Sequence, residues 1–248
     1  MIRIAAIGDV HFAADAAGKM RPFLERLPRV ADIFLIAGDI TRHGLAEEAE
    51  VFAREIEGLG IPAACVLGNH DHHEGQQDAI GRAMTSVGVD VLEGAARTYE
   101  IAGRSVAIVG TKGFGGGFAG ACGSEFGEAE MKAFIRHTRE VAERLSKVLA
   151  GAEADHKVAL LHYSPIEQTL RGERLEIYPF MGSYLLAEAI DSAGADLVIH
   201  GHAHGGSERG ITPGGIQVRN VAQPMLQTPY VTYCLGSDDL SCESATAS

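Results

Sequence analysis

Cysteine is scarce in this chain and follows no pattern. Cys65, Cys122, Cys234 and Cys242 are the only four in 248 residues, and none forms a CxxC pair. That argues against a disulfide framework or a structural zinc site and predicts free thiols, with Cys65 inside an apolar strand. Positive charge is also in short supply: 21 Lys and Arg stand against 33 Asp and Glu, a formal net charge of −12. Such a balance counts against a broad grip on the nucleic-acid backbone, which is built from clustered cations, so nucleic acid is not an expected partner. A small phosphate site stays open to an acidic protein if metal ions or a few local cations line it. Long hydrophobic runs are missing too. No stretch approaches the length of a membrane span, and the opening Met1-Ile2-Arg3-Ile4-Ala5-Ala6-Ile7 is interrupted by Gly8-Asp9 too early for a signal peptide. The expectation is a cytoplasmic protein with no membrane partner.

Hydrophobic residues make up 46% and charged residues 22%, enough for one large domain with a sizeable core. That domain is expected over residues 1–236, with the small, polar residues 237–248 as a flexible tail. The first half alternates apolar runs with helical spacing: strands at 2–7, 32–37 and 62–67, a helix over 19–29 and another over 44–58. Strand, helix, strand, helix, strand implies parallel strands joined by crossover helices. On the 44–58 helix, Glu47, Glu48 and Glu50 read as a solvated face. Residues 76–87 predict another helix. The texture then changes to short β-prone runs at 89–92, 98–101 and 105–109, a pattern of antiparallel hairpins. A long helix is expected over 128–149, strands at 158–161 and 196–199, and a helix near 183–192. Two irregular stretches, 110–127 and 166–180, are long for plain connections, and the first is a candidate lid or substrate wall.

Five times an apolar run ends in Asp, His or Asn. The junctions are Gly8-Asp9-Val10-His11, Gly38-Asp39, Gly68-Asn69-His70-Asp71, His162 and Gly201-His202-Ala203-His204. Singly, a strand-end Asp is a turn former and a lone His a packed residue. Five in order, each where a strand gives way to a loop, point to one metal-binding end of an α/β fold.

These blocks together resemble the signature motifs of the calcineurin-like metallophosphoesterase superfamily. The resemblance implies an α/β fold, a four-layer α/β/β/α sandwich of two mixed β-sheets flanked by helices. It implies a metal-dependent phosphoric ester hydrolase with a dinuclear centre and a bridging hydroxide. By the same resemblance, Asp9, His11 and His204 match the ligands of one metal, Asn69, His162 and His202 those of the second, and Asp39 the bridging carboxylate. Mixed oxygen and imidazole ligation suits two ions drawn from Mn, Fe or Zn. His70 matches the histidine beside the scissile phosphate, and Asp71 the partner that would fix its tautomer and raise its pKa. His200 is expected to pack rather than ligate, while His43 and Arg42 are possible pocket neighbours, Arg42 as a bidentate phosphate donor. Phe114, Phe118, Tyr163, Arg171, Arg174 and Tyr178 are candidate contacts for a small-molecule or nucleotide phosphoester. The rival readings are a protein phosphatase and a catalytically silent scaffold.

Overall fold

Alternation along the strands explains the architecture. The computed structural model describes residues 1–237, Leu240 and Cys242. Its first half runs β1 (Ile2–Ile7), α1 (Arg21–Leu24), α2 (Leu27–Val30), β2 (Ile33–Ala37), α3 (Ala46–Ile56), β3 (Ala63–Val66), a 3₁₀ turn (His70–His72), α4 (Gln77–Ser86) and β4 (Val89–Val91). The second half begins with β5 (Ala95–Ile101), β6 (Arg104–Thr111), the short hairpin β7 (Gly117–Phe118) and β8 (Ala121–Cys122), then α5 (Ala129–Gly151) and β9 (His156–Leu161). It closes with α6 (Tyr178–Met181), α7 (Tyr184–Ala193), β10 (Leu197–His200), β11 (Arg209–Ile211), β12 (Gln217–Asn220), α8 (Gln223–Leu226) and β13 (Val231–Leu235).

Two mixed sheets form, in the orders β13-β1-β2-β3-β4 and β11-β12-β10-β9-β6-β5. Because strand side chains alternate, each apolar β1 and β2 residue serves one of two cores. Ile4, Ala6, Ile33, Leu35 and Ala37 meet Ile108, Val158, Leu160 and Ile199 of the other sheet. Ala5, Ile7, Phe34 and Ile36 turn outward onto Leu24, Phe52, Ile80 and Met84 of the first helical layer. On the far side Val109, Ala159, Leu161 and Val198 pack against Leu145 and Leu149 of α5 and Leu186 and Ile190 of α7. This is the expected four-layer α/β/β/α sandwich. In the first sheet β1 to β4 are parallel and β13 pairs antiparallel with β1, so the loops after β1, β2 and β3 all emerge at one end.

Several expectations need correction. The helix predicted over 19–29 is two short ones, because Pro28 lacks an amide and starts a new turn near the N-terminus of α2. Residues 89–91 do not belong to a hairpin: β4 is the parallel edge of the first sheet, paired with β3. Glu48 is not on a solvated face. Its carboxylate is 2% exposed and accepts from the backbone and ring nitrogens of His43, tying the α3 N-terminus to the loop before it. The 110–127 stretch is no mobile flap in its first half, since Gly113, Gly115, Gly116 and Gly117 are buried.

Free thiols were expected throughout, yet Cys234 and Cys242 are joined in a disulfide, while Cys65 and Cys122 are free. Leu240, between the joined cysteines, is 5% exposed in the inter-sheet core, so the expected flexible tail is anchored at two points. Residues 238, 239, 241 and 243–248 of that tail lie outside the described residues. Among the described residues no helix is long and apolar enough to cross a membrane.

Candidate metal centre

All five motif loops meet at one end of the sandwich. The ligand-type atoms of Asp9, His11, Asp39 and His204 lie within 4.8 Å of one another, and so do those of Asp39, His162 and His202. Asp39 belongs to both groups. Its Oδ1 faces His162 Nε2 at 3.4 Å and its Oδ2 faces His11 Nε2 at 3.9 Å, so one carboxylate divides between two clusters. Asn69 joins the second group, with Oδ1 2.9 Å from His162 Nε2. In the first group His204 Nε2 sits 3.0 Å from Asp9 Oδ1 and 3.3 Å from His11 Nε2.

Backbone geometry makes the convergence possible. Asp9, His11, Asp39 and His202 all have positive φ, between 43° and 69°, a region that costs non-glycine residues energy and is held only where the surroundings demand it. Those four account for most of the seven non-glycine residues in that region among the described residues, so the strain is concentrated at the site. Two glycines are required by close approach. A Cβ on Gly68 would strike the Asp39 carboxylate, and one on Gly201 would strike that of Asp9. The glycine of one motif thus makes room for the ligand of another.

Hydrogen bonds then orient the rings. His162 Nδ1 donates to the Ala37 carbonyl at 2.9 Å, a link from β9 to β2 across the two sheets that turns Nε2 toward Asp39 and Asn69. The His202 amide donates to both oxygens of Asp9, at 3.0 and 2.8 Å. Burial pulls His11 down to about 4 and His202 to about 3, so both imidazoles are neutral near pH 7, the state in which they bind metal. Burial, reinforced by the charge of Asp9, holds Asp39 above the usual carboxylate range. Burial acts the same way on Asp9, but the hydrogen bond from His204 and the nearby imidazoles outweigh it and leave that carboxyl low.

This donor set fits divalent cations. Two carboxylates, each 1% exposed, lie side by side with no Lys or Arg paired to either among the described residues, and buried anions of that kind need compensating positive charge. Five imidazole or amide side chains around the two aspartates supply mixed nitrogen and oxygen donors for such ions.

A family model described as calcineurin-like phosphoesterase matches residues 2–206. The chain belongs to that family. Phosphoester hydrolysis is therefore the chemistry against which its site residues are to be understood. Over 93 residues it is 30% identical to the "Probable cyclic nucleotide phosphodiesterase" of Synechococcus sp.. That match covers 33% of this chain, and the chain spans only 36% of the relative's length. Among solved structures, phosphopantetheinyl hydrolase from Mycobacterium tuberculosis has the same fold, with a TM-score of 0.68 at 15% identity over 97% of this chain and 98% of the other. A protein from Thermus thermophilus aligns with a TM-score of 0.55 at 15% identity, covering 93% of this chain and 97% of the other.

Around the phosphoesterase site, the predicted residues divide. His70 reaches it, with Nε2 4.0 Å from Asp39 Oδ2, its ring 4.5 Å from that of His11 and its side chain 43% exposed, open to a substrate. Asp71 does not hold His70, contrary to expectation. The carboxyl is fully buried and accepts from the amides of Ile40, Thr41 and Gly68 and the Thr41 hydroxyl, because the 3₁₀ turn sends residues 70 and 71 to opposite sides. The tautomer of His70 is instead set by the Arg42 carbonyl, 2.8 Å from Nδ1. His200 packs as expected, between Thr169 and the Gly201 carbonyl. His43 turns to Glu48 rather than to the pocket.

Of the proposed substrate contacts, Tyr163 lies 4.5 Å from the His202 ring and Phe114 packs beside Tyr163. Phe118 is buried with Leu170 and Met181, and the Tyr178 hydroxyl donates to the Leu170 carbonyl, so both are packing residues. Arg174 is exposed and pairs with Glu176, and Arg171 is exposed. A residue without an assigned role, Lys112, places its ammonium 5.7 Å from the Tyr163 ring, and its carbonyl accepts from His162 and Tyr163. Burial pulls this ammonium below its ordinary range, against the opposing charges of Glu93 and Asp39. Its signal was its place at the end of β6, the remaining parallel strand next to β9.

Proposed function

We propose that the chain hydrolyses a small-molecule or nucleotide phosphomonoester or phosphodiester at a dinuclear metal centre. The sharing of Asp39 between two ligand groups carries this reading. Asp9, His11 and His204 would hold one cation, Asn69, His162 and His202 the other, and Asp39 both. When bound, the pair supplies Lewis-acid polarisation of the phosphoryl group and an activated water.

The rest follows from the chain's own groups. Hydrolysis joins a water oxygen to phosphorus, breaks the P–O bond to the leaving alcohol and requires a proton at the departing oxygen. His70 is suited to deliver it: Nδ1–H is committed to the Arg42 carbonyl, so Nε2 is the atom aimed at the cluster. The same atom can stabilise charge on a phosphoryl oxygen. Asp71 is a positioning residue. By gathering amides from the loops after β2 and β3 it fixes Asp39, Asn69 and His70 relative to one another. The Ala37 carbonyl does the same for His162.

The name of the Synechococcus relative supports a nucleotide diester among the substrates, and the acidic balance of the chain counts against a nuclease. Protein stripped of metal and refilled with Mn²⁺ should hydrolyse bis(p-nitrophenyl) phosphate or p-nitrophenyl phosphate. Asp39→Ala and His202→Ala should abolish turnover. Refilled protein that is inert across a broad phosphoester panel would instead be a silent scaffold.

A further inference from the structure

One groove leads away from the metal centre, and it opens at His11, whose ring lies 4.5 Å from that of His70. Its larger part, about 700 Å³, extends from Asp9 and His11 past Lys19, Met20 and Phe23 to Pro229. A smaller part of about 330 Å³ shares His11, Lys19 and Met20 and adds Arg42 and Asp15. Together they exceed the room a mononucleotide-sized group needs.

Three features indicate what fits. First, the groove holds two cations, Lys19 and Arg42, beside the carboxylates Asp9 and Asp15, in a chain of net charge −12. Neither the Lys19 ammonium nor the Arg42 guanidinium is paired with a carboxylate among the described residues, including Asp15 of the same wall. Second, it offers an apolar surface where solvent contact is costly: Phe23 is 44% exposed and stands beside Met20 and Pro224. Third, the groove begins where a leaving group would depart. Arg42 lines its wall with the side chain while its carbonyl holds the ring of His70. The floor is tied to the first ligand loop, since Gln223 donates its amide to the Gly8 carbonyl and its side chain to the Met20 sulfur.

We propose that this groove is the leaving-group subsite, and that it selects phosphoesters whose leaving alcohol carries an apolar ring and a second anionic group. The anion lies against Lys19 and Arg42, and the ring against Phe23 and Met20. A nucleoside bearing a further phosphate has this chemistry. The assignment rests on the phosphoesterase reading above and names the substrate class for it.

The test compares three probes on Mn²⁺-refilled protein: 2′-deoxyadenosine 3′,5′-bisphosphate, 2′-deoxyadenosine 5′-monophosphate and bis(p-nitrophenyl) phosphate. Whichever phosphate of the bisphosphate is attacked, its leaving group keeps ring and anion together. The native chain should prefer the bisphosphate to the monophosphate by about tenfold or more in kcat/KM, the size of one well-placed charge-assisted contact. Lys19→Gln should erase most of that preference and Lys19→Arg should restore it, while Phe23→Ser should weaken both nucleotides relative to the aryl ester. Calorimetric binding of the bisphosphate and monophosphate gives the same comparison without turnover, so it tests the groove even if the aryl ester is not cleaved. Absence of turnover of all three probes, with the bisphosphate still bound more tightly than the monophosphate, would count against the hydrolase reading and leave the groove assignment standing. Equal affinity and equal kcat/KM for the two nucleotides, or a Lys19→Gln variant that keeps the preference, would overturn the groove assignment.

Discussion

Asp71 Oδ1 accepts both the backbone amide and the hydroxyl of Thr41, at 2.8 and 2.7 Å, inside a fully buried pocket. A residue placed by its motif beside His70 therefore belongs to the scaffold beneath it.

Asp71→Asn tests this directly. The amide NH₂ would face the amides of Ile40 and Gly68, or those of Thr41, leaving buried donors unmatched. The expected loss is about 2–4 kcal/mol of folding stability, visible as a lowered midpoint in urea. A variant as stable as the native chain that differs only in turnover would return Asp71 to the expected role of orienting His70.

His70→Ala should separate chemistry from metal binding. Turnover is expected to fall by about 10²–10⁴-fold, the usual contribution of a positioned acid or base, with metal content unchanged. Metal analysis alongside single-turnover rates checks both halves.

What could be read from the sequence was the arrangement of strand ends, because period-two apolar runs reveal where a strand stops and which residue follows it. Asp9, Asp39, Asn69 and His162 were legible for that reason. The partners of Asp71 were not, since three of its four donors come from a loop some thirty residues away. Nor was the positive φ at Asp9, His11, Asp39 and His202, which no residue type there requires and only the packed surroundings impose. The edge position of β4 was hidden because a three-residue strand carries too little pattern to choose its sheet. The Cys234–Cys242 link depends on Leu240 turning back into the core, a long-range packing event rather than a spacing rule.

Asn69→Ala should act unequally on the two ligand groups. It removes a neutral oxygen from the His162 and His202 side and leaves Asp9, His11 and His204 intact. Titration of the stripped variant with Mn²⁺ should show one site unchanged and the other weakened by about tenfold or more, roughly 1.4 kcal/mol. Equal weakening of both would mean that Asn69 shapes the site as a whole.

His200 should give a pH signature of its own. Burial lowers it from 6.5 to about 4, so between those values the unfolded chain binds a proton that the folded chain refuses. Its contribution is full above pH 6.5 and is lost as pH falls toward 4, up to about 3 kcal/mol. Urea unfolding of the native chain and His200→Gln at pH 7.5 and 5 checks the sign. The native chain should lose more stability over that interval than the variant, and parallel losses would show that His200 is not the group responsible.

The central claim is that Asp39 joins two metal sites, and the most direct measurement is metal stoichiometry. Stripped protein dialysed against Mn²⁺ and analysed for metal per chain should bind two ions, and Asp39→Asn should bind fewer than two. A native chain that saturates at one ion, or an Asp39→Asn variant that still holds two, would contradict the account.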